Sequence, residues 1–151
     1  MTLTFGILKA FPILMPEIYQ PVVTAEKSEY IVVSHFTDNT KYDNTLSILT
    51  DDYAGFINRL CSAKRVISSS LHGIILAESY GIPAVLFLPE VVQGNLTLYK
   101  YQDYYYGTGR YEFPVAKTIK EALSITPSPL PDLTQQRKKL KDVFPADLWE
   151  A

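Results

Sequence analysis

The sequence is poor in cysteine and histidine and has no long apolar run. One cysteine, Cys61, among 151 residues excludes an intrachain disulfide framework and fits a reducing compartment. Because Cys61 lies in a stretch of helical apolar periodicity, we predict a buried structural thiol. Two distant histidines and this cysteine form no metal-ligand cluster. No segment reaches the ~20 consecutive apolar residues of a membrane-spanning helix, so we expect a soluble cytoplasmic domain without a membrane span.

Charges of the two signs are nearly balanced, with 14 Lys and Arg against 16 Asp and Glu and a formal net charge of −2. The chain therefore lacks the basic field that attracts nucleic acid or anionic membranes, and we expect neither as a partner. The length suits one domain. We divide the chain into an apolar lead-in segment (1–24), a central domain (25–126) and a proline linker with a C-terminal helix that packs back on the domain (127–151).

Short apolar runs alternate with helical patterns along the central domain. The apolar runs predict strands at 30–34, 46–49, 65–68 and 84–88, and a proline-containing edge strand at 113–116. The helical patterns predict helices after Thr50 and after Ser69 or Ser70, and at 118–123 and 132–143. Gly81 supplies a left-handed stop for the helix at 71–80. This order predicts an α/β fold: a Rossmann-like, doubly wound parallel sheet with helices on both faces.

Residues 89–111 interrupt this alternation. The stretch contains Tyr99, Tyr101 and the run Tyr104-Tyr105-Tyr106, and we predict a long connection with a role of its own. Its tyrosines would either pack over the edge of the core or offer stacking faces to sugar rings.

The turn from Ser68 to Gly73 is the first candidate site, because ligands of doubly wound sheets bind where a strand passes into a helix. Serine hydroxyls and the N–H groups of the first helical turn suit an anion. His72 lies just inside this helix, where a histidine could donate a hydrogen bond to a phosphate or pass a proton. Spacing alone leaves open a second interpretation, in which the serines only cap the helix and His72 is a surface residue.

The block from Val66 to Phe87, VISSSLHGIILAESYGIPAVLF, closely resembles the central motif of the polysaccharide pyruvyl transferase family. The segment from Lys100 to Gly109, with its Lys-Tyr-x-Asp-Tyr-Tyr pattern, is also similar to the family. So is the segment from Val32 to Asp38, in which a histidine and then an aspartate follow a strand. The resemblance implies the carboxyl-terminal half of a GT-B-like architecture, with the active site in the cleft between two Rossmann-type halves.

The resemblance also implies a reaction, the transfer of a ketal-pyruvyl group from phosphoenolpyruvate to a sugar of an exopolysaccharide or cell-wall polymer. Phosphoenolpyruvate is the expected donor substrate, without a cofactor or metal. The catalytic candidates are His72, as phosphate ligand or general acid, then His35 and Asp38. The donor-binding candidates are Ser69, Ser70, Lys100 and Arg110, followed in a second tier by Glu78, Asp103 and Tyr104. Many members have an arginine where this chain has Ser70, and the missing guanidinium would weaken binding of an anionic donor unless Arg110 or Lys100 compensates.

Two other interpretations stay open. Glu78, Gly81 and Pro83 resemble the nucleotide-sugar glycosyltransferases and epimerases of GT-B type, in which a glutamate holds a ribose. Alternatively, the chain is a non-catalytic fragment or a partner subunit, because family members are around twice as long. An N-terminal half on another chain, or a homo-oligomer, would then complete the cleft. We expect the isolated chain to bind phosphoenolpyruvate weakly and to catalyse no measurable transfer.

Overall fold

The computed structural model describes residues 12–23, 27–90 and 98–143. Within these ranges, one parallel sheet contains β1 (Ile31–Val33), β2 (Val66–Ser68), β3 (Ala84–Phe87) and β4 (Val115–Ala116). The strands lie in chain order, β1-β2-β3-β4. The strands predicted at 30–34, 65–68 and 84–88 are confirmed. The proline-containing strand at 113–116 is confirmed as an edge strand, shortened to two residues after Pro114.

Helices connect and follow the strands. They are a 3₁₀ turn (Pro12–Leu14), α1 (Met15–Ile18), α2 (Tyr53–Cys61), α3 (Leu71–Ser79), α4 (Tyr99–Gly107), α5 (Ile119–Ser124) and α6 (Thr134–Val143). Cys61 at the end of α2 is buried, and burial raises the pKa of its thiol to about 11. The prediction that Cys61 is a buried thiol is therefore confirmed.

The sheet buries both of its faces. Because successive side chains of a strand point to opposite sides, Ile31 and Val33 join a large core with α2, α3 and α4, whereas Val32 joins a smaller core that includes Ala122 of α5. Both faces are thus covered by helices. The predicted fold class is confirmed: an α/β, Rossmann-like doubly wound parallel sheet.

Capping residues set the helix boundaries. Ser70, one of the two predicted alternatives, caps α3, and Thr118, predicted as the first residue of its helix, caps α5. Their side-chain oxygens accept from the N–H groups of Gly73 and Glu121. Gly81 follows α3 with a φ of 74°, the left-handed conformation that glycine adopts without steric cost. The prediction for Thr50 is wrong. Asp52 caps α2 by accepting from Gly55, and the Thr50 hydroxyl instead accepts from the N–H of Asp52.

The predicted strand at 46–49 is also wrong. Its neighbour Thr45 forms a single bridge to Val32, and the N–H of Leu46 donates to the Val32 carbonyl at 2.8 Å. The chain then leaves the sheet, while Leu46 and Ile48 pack on the large core. The apolar residues of this segment are therefore accounted for by packing on the core, and among the described residues the segment forms no ladder of its own.

The tyrosine-rich stretch contains helix α4, where we predicted an irregular connection. Tyr101 and Tyr105 lie one turn apart and are both fully buried in the large core. Residues 91–97 of this stretch lie outside the described residues. Tyrosine has only modest helix propensity, so burial of these two rings, rather than local preference, accounts for the helix.

Both ends of the described chain lie together against α3. The guanidinium of Arg137 in α6 donates to the carbonyl oxygens of Ile13, at 3.0 Å, and Ser79, at 2.7 Å. Helix α6 begins two residues later than predicted, with the Asp132 carboxylate accepting from the N–H of Thr134. Residues 1–11 of the predicted lead-in segment and 144–151 at the end lie outside the described residues.

Candidate functional site

Three serines follow one another where β2 passes into α3, and each has a separate role. The Ser68 hydroxyl lies 2.8 Å from the carbonyl oxygens of both Val33 and Ser70. The Ser69 hydroxyl accepts from the backbone N–H of His35 at 2.8 Å. The Ser70 hydroxyl accepts from the N–H of Gly73 at 3.4 Å. The first two hydroxyls therefore hold the ends of β1 and β2 together, and Ser70 is the one that faces the cavity described below.

Helix α3 starts in close contact with the sheet. A Cβ atom at Gly73 would lie 2.5 Å from the Ser68 hydroxyl and 2.8 Å from a Val33 methyl carbon, too close for any side chain. Glycine at this position thus lets the helix begin directly beside the ends of β1 and β2. The N-terminal turn of α3, with its partial positive charge, is brought to the carboxyl edge of the sheet.

A cavity of about 450 Å³ lies at this edge. Its polar lining consists of His35, Thr50, Ser70, His72 and Lys100. Its apolar lining consists of Phe36, Ile48, Leu49, Phe56, Leu71 and Leu76. Four predicted site residues from three separate segments, namely His35, Ser70, His72 and Lys100, therefore meet in one cavity.

His35 and Lys100 both have lowered pKa values in this cavity. Burial lowers the pKa of His35, the positive charge of Lys100 lowers it further, and the carboxylate of Asp38 opposes both. Burial also lowers the pKa of Lys100, whose Nζ lies 5.0 Å from the centroid of the Tyr101 ring. The lowered pKa favours the neutral form of the His35 imidazole. Its Nδ1 lies 2.8 Å from the Thr37 hydroxyl.

Asp38 and Ser69 lie behind the cavity rather than in its lining. Asp38 is buried, and its carboxylate accepts from the N–H of Thr40 at 2.9 Å and from the hydroxyl of Tyr42 at 3.0 Å. Ser69 is buried and accepts at its carbonyl from the Tyr101 hydroxyl. Both therefore shape the loop and the turn that carry His35 and Ser70.

Arg110, Glu78 and Tyr104 form a separate buried cluster away from the cavity lining. The Arg110 guanidinium binds both carboxylate oxygens of Glu78, at 2.6 and 2.8 Å, and the Tyr104 hydroxyl donates to the same carboxylate at 2.6 Å. The guanidinium also lies 4.5 Å from the Tyr105 ring centroid. These polar groups are occupied by each other, and the structure does not bring Arg110 to the lining of the cavity. Asp103 lies exposed on α4, also outside the lining.

Sequence reasoning missed Phe36 and Thr50 as parts of the cavity lining, and it missed Tyr101 as the residue that bonds to the turn behind it. Phe36 directly follows His35, and its ring centroid lies 4.4 Å from that of the imidazole. Thr50 was treated as a helix cap, and Tyr101 as one of several equivalent tyrosines. Tyr101 and Tyr105 lie at positions i and i+4, which is one helical turn. This spacing is the signal that would have found the helix and its buried face.

Within the described ranges, no group of three or more His, Cys, Asp or Glu side chains is placed to hold a metal ion. In the same part of the chain, no helix is long and apolar enough to cross a membrane. The groups that the cavity does offer are two imidazoles, an ammonium, two hydroxyls and a helix N-terminus. Such a set can bind an anionic group and exchange protons with it.

The chain is similar to known proteins over part of its length. The sequence pattern of the family described as polysaccharide pyruvyl transferase matches residues 7–90. This match covers more than half of the chain, including β1, β2, α3 and β3, but it ends before α4. Over 66 residues, the chain is 38% identical to uncharacterized protein L143 of Acanthamoeba polyphaga mimivirus, covering 36% of this chain and 23% of that protein.

The match thus spans about a quarter of the length of that curated relative. No solved structure matches the chain. Because the family pattern covers the cavity-forming turn as well as most of the sheet, the chain belongs to the polysaccharide pyruvyl transferase family.

Proposed function

We propose that this chain supplies the phosphoenolpyruvate-binding half of a pyruvyl transferase, and that the cavity at the carboxyl edge of the sheet is the donor site. In the proposed reaction, a sugar hydroxyl attacks C2 of phosphoenolpyruvate, and C3 takes up a proton. A second hydroxyl of the sugar then attacks C2, the C2–O bond to phosphate breaks, and inorganic phosphate leaves. The product is a cyclic ketal of pyruvate on the sugar.

The observation that carries the proposal is the meeting of His35, His72 and Lys100 beside the N-terminus of α3. Phosphoenolpyruvate carries a phosphate and a carboxylate, and each requires cationic or N–H donors. The Lys100 ammonium and the first turn of α3 supply these donors. Ser70 adds a hydroxyl where many family members are expected to carry arginine, so Lys100 is the cation that replaces the guanidinium.

The two imidazoles suit different proton-transfer roles. Burial and the charge of Lys100 lower the pKa of His35 and favour its neutral form, which can accept a proton from the attacking hydroxyl. His72 lies in the first turn of α3, where the helix binds anions. We infer that His72 contacts the phosphate and donates a proton as the reaction proceeds.

The apolar side of the cavity suits the saccharide acceptor. A pocket of ~300–1,000 Å³ commonly encloses a drug-sized ligand, whereas phosphoenolpyruvate has ten non-hydrogen atoms. The cavity of about 450 Å³ therefore has room for part of a second substrate. Phe36 is 63% exposed, and a pyranose that stacks on its ring would bring hydroxyl groups close to His35.

The nucleotide-sugar alternative depends on Glu78 as a ribose ligand. In this chain, the carboxylate is buried and already bound by Arg110 and Tyr104, and it is not part of the cavity lining. The feature that favoured the alternative therefore has a structural role. The acceptor side of the cleft, in a GT-B-like arrangement, would come from an N-terminal half or from a second copy of the chain.

Isothermal titration calorimetry with phosphoenolpyruvate and with uridine diphosphate tests the donor site. We expect saturable binding of phosphoenolpyruvate and none of the nucleotide at the same concentration. Lys100→Met or His72→Ala should weaken phosphoenolpyruvate binding by about 10- to 100-fold, because each removes a charge-assisted or hydrogen-bonded contact. Lys120→Met removes an exposed lysine from α5 on the other face of the sheet and should leave the affinity unchanged.

Tighter binding of uridine diphosphate than of phosphoenolpyruvate would refute the proposed donor. Equal losses in the Lys100 and Lys120 variants would show a general charge effect instead of a site. A coupled phosphate-release assay with saccharide acceptors should detect no turnover by the isolated chain. Sustained turnover would contradict the inference that this chain supplies only half of the active site.

A further inference from the structure

Helix α4 carries Lys100, yet the helix is not fixed by a cap of its own. Its N-cap residue, Leu98, makes no side-chain hydrogen bond. The N-terminal end is instead held by Tyr101, whose side chain is fully buried and whose hydroxyl donates to the carbonyl oxygen of Ser69 at 2.8 Å. A buried phenol requires such a partner, and here the partner belongs to the turn that forms the cavity.

Ser69 connects this hydrogen bond to the rest of the site. Its N–H donates to the carbonyl of Val33 at 3.1 Å, and its hydroxyl accepts from the backbone N–H of His35 at 2.8 Å. The Tyr101 hydroxyl is therefore bound to a residue that also contacts the end of β1 and the start of the His35 loop. Helix α4, the turn and the His35 loop form a single hydrogen-bonded unit.

The orientation of Tyr101 determines that of Lys100. Successive residues of an α-helix are rotated by ~100° about its axis, so a helix with Tyr101 fixed toward the turn has one direction left for residue 100. In that direction, Lys100 lines the cavity, with its Nζ 5.0 Å from the Tyr101 ring centroid. The same aromatic side chain thus fixes the helix and lies beside the ammonium group.

We propose that Tyr101 is a positioning residue of the donor site, which holds the Lys100 ammonium opposite His35 and His72 through its hydrogen bond to Ser69. The role of Tyr101 in donor binding rests on the proposed function. The placement of Lys100 by Tyr101 does not depend on any ligand. Tyr101 itself is not part of the cavity lining, so it acts through Lys100.

A matched comparison separates this role from simple packing. Tyr80 also donates its hydroxyl to a backbone carbonyl, that of Tyr19 at 2.9 Å, at a place that is not part of the cavity lining. Tyr101→Phe and Tyr80→Phe each remove one oxygen and one hydrogen bond of the same kind. The two variants should lose similar amounts of stability in urea denaturation, and they should differ only in properties of the cavity.

The first readout is the titration of His35 by NMR without ligand. The chain has two histidines, and His72→Gln identifies the remaining imidazole signal. Lys100 from α4, His72 from α3 and Asp38 from its own loop are the titratable groups near His35. Because Lys100 lowers the pKa of His35, its release in Tyr101→Phe should raise that pKa, whereas Tyr80→Phe should leave it unchanged. Lys100→Met sets the upper limit of the rise in the His35 pKa. Adding Tyr101→Phe to Lys100→Met should raise that pKa no further.

The second readout is calorimetric affinity for phosphoenolpyruvate. Tyr101→Phe should weaken binding by about two- to tenfold, the equivalent of one hydrogen bond, with Tyr80→Phe unchanged. The proposal is overturned if both variants match the wild type in His35 titration and in affinity. If Tyr101→Phe does not fold, Lys100→Met decides alone, because an unchanged His35 titration in that variant means that Lys100 is not held near the imidazole.

The two proposals fail in different ways. If the wild-type chain does not bind phosphoenolpyruvate, the donor assignment is lost, while the His35 titration still tests the positioning role. If the wild type binds phosphoenolpyruvate but Tyr101→Phe changes neither readout, the positioning role is lost and the donor site stands.

Discussion

Replacing Arg110 with methionine distinguishes a structural arginine from a donor-binding one. The guanidinium and the Glu78 carboxylate have side chains that are 10% and 0% exposed, and they are joined by two hydrogen bonds. In Arg110→Met, the carboxylate stays buried and keeps only the Tyr104 hydroxyl as a polar partner from this cluster. In Arg110→Met with Glu78→Gln, both charges are gone, and the amide oxygen can still accept from Tyr104.

The expected cost follows from burial of the pair. Removal of one partner from a buried ion pair typically costs about 3–5 kcal/mol of unfolding free energy, because an uncompensated charge remains. Total stabilities of small domains are about 5–15 kcal/mol, so the single variant should be severely destabilised. The double variant should recover most of the loss. Lys64→Met, which breaks the exposed pair of Lys64 and Glu29, should cost less than about 1 kcal/mol.

Urea denaturation monitored by circular dichroism measures all three variants, and calorimetry gives the phosphoenolpyruvate affinity of the stable ones. We expect the double variant to bind phosphoenolpyruvate within about twofold of the wild type, since Tyr101 still holds the other end of α4. A loss of stability below about 1 kcal/mol in Arg110→Met would refute the structural role. A folded double variant that no longer binds phosphoenolpyruvate would return Arg110 to the donor site.

Three further predictions concern the cavity itself. Gly73→Ala should lower the unfolding free energy by about 1–2 kcal/mol in urea denaturation. The new Cβ would collide with Ser68 and Val33, and the cost of this overpacking exceeds the gain in helix propensity. An unchanged or higher stability would contradict the close approach. Phosphoenolpyruvate affinity should fall with rising pH well below the pKa of ~10.4 of an ordinary lysine, because burial lowers the pKa of Lys100 and the charged form binds the anion. Calorimetry across pH 7–10 would show no such fall if Lys100 were uninvolved. Phe36→Ala should leave the calorimetric affinity within about twofold, whereas Phe36→Asp should weaken it at least about fivefold by placing a negative charge beside the anion; equal effects of the two would place Phe36 away from the donor.

The sheet could be predicted because parallel strands buried on both faces leave continuous apolar runs. The runs around Val32, Ile67 and Val85 are short, apolar and followed by capping residues or glycine, so strand and helix boundaries were nearly correct. The run at 46–49 has the same local character, but within the described residues its pairing is limited to the Thr45–Val32 bridge and the hydrogen bond from Leu46 to Val32. Strand pairing is a tertiary property, and local pattern does not determine it.

The site was predictable only in part for a related reason. Ser70 and His72 are adjacent to a strand end, so topology alone places them at the binding edge. Lys100 and Arg110 lie on the same tyrosine-rich stretch and looked equivalent as cations. Their different positions depend on α4, which contains Lys100 and ends shortly before Arg110. Lys100 lines the cavity, and Arg110 binds the buried carboxylate of Glu78. That division arises from packing of α4 and leaves no signature in composition or spacing.

The most direct test of the donor site uses the two histidines of the chain as reporters. Both imidazoles line the cavity, so titration with phosphoenolpyruvate should shift the NMR signals of His35 and His72 together, with one saturation curve and a common dissociation constant. Lys100→Met should move that curve to higher concentration by at least about tenfold. If phosphoenolpyruvate saturates the protein in calorimetry while both imidazole signals stay unchanged, the donor binds elsewhere and the cavity is not the site.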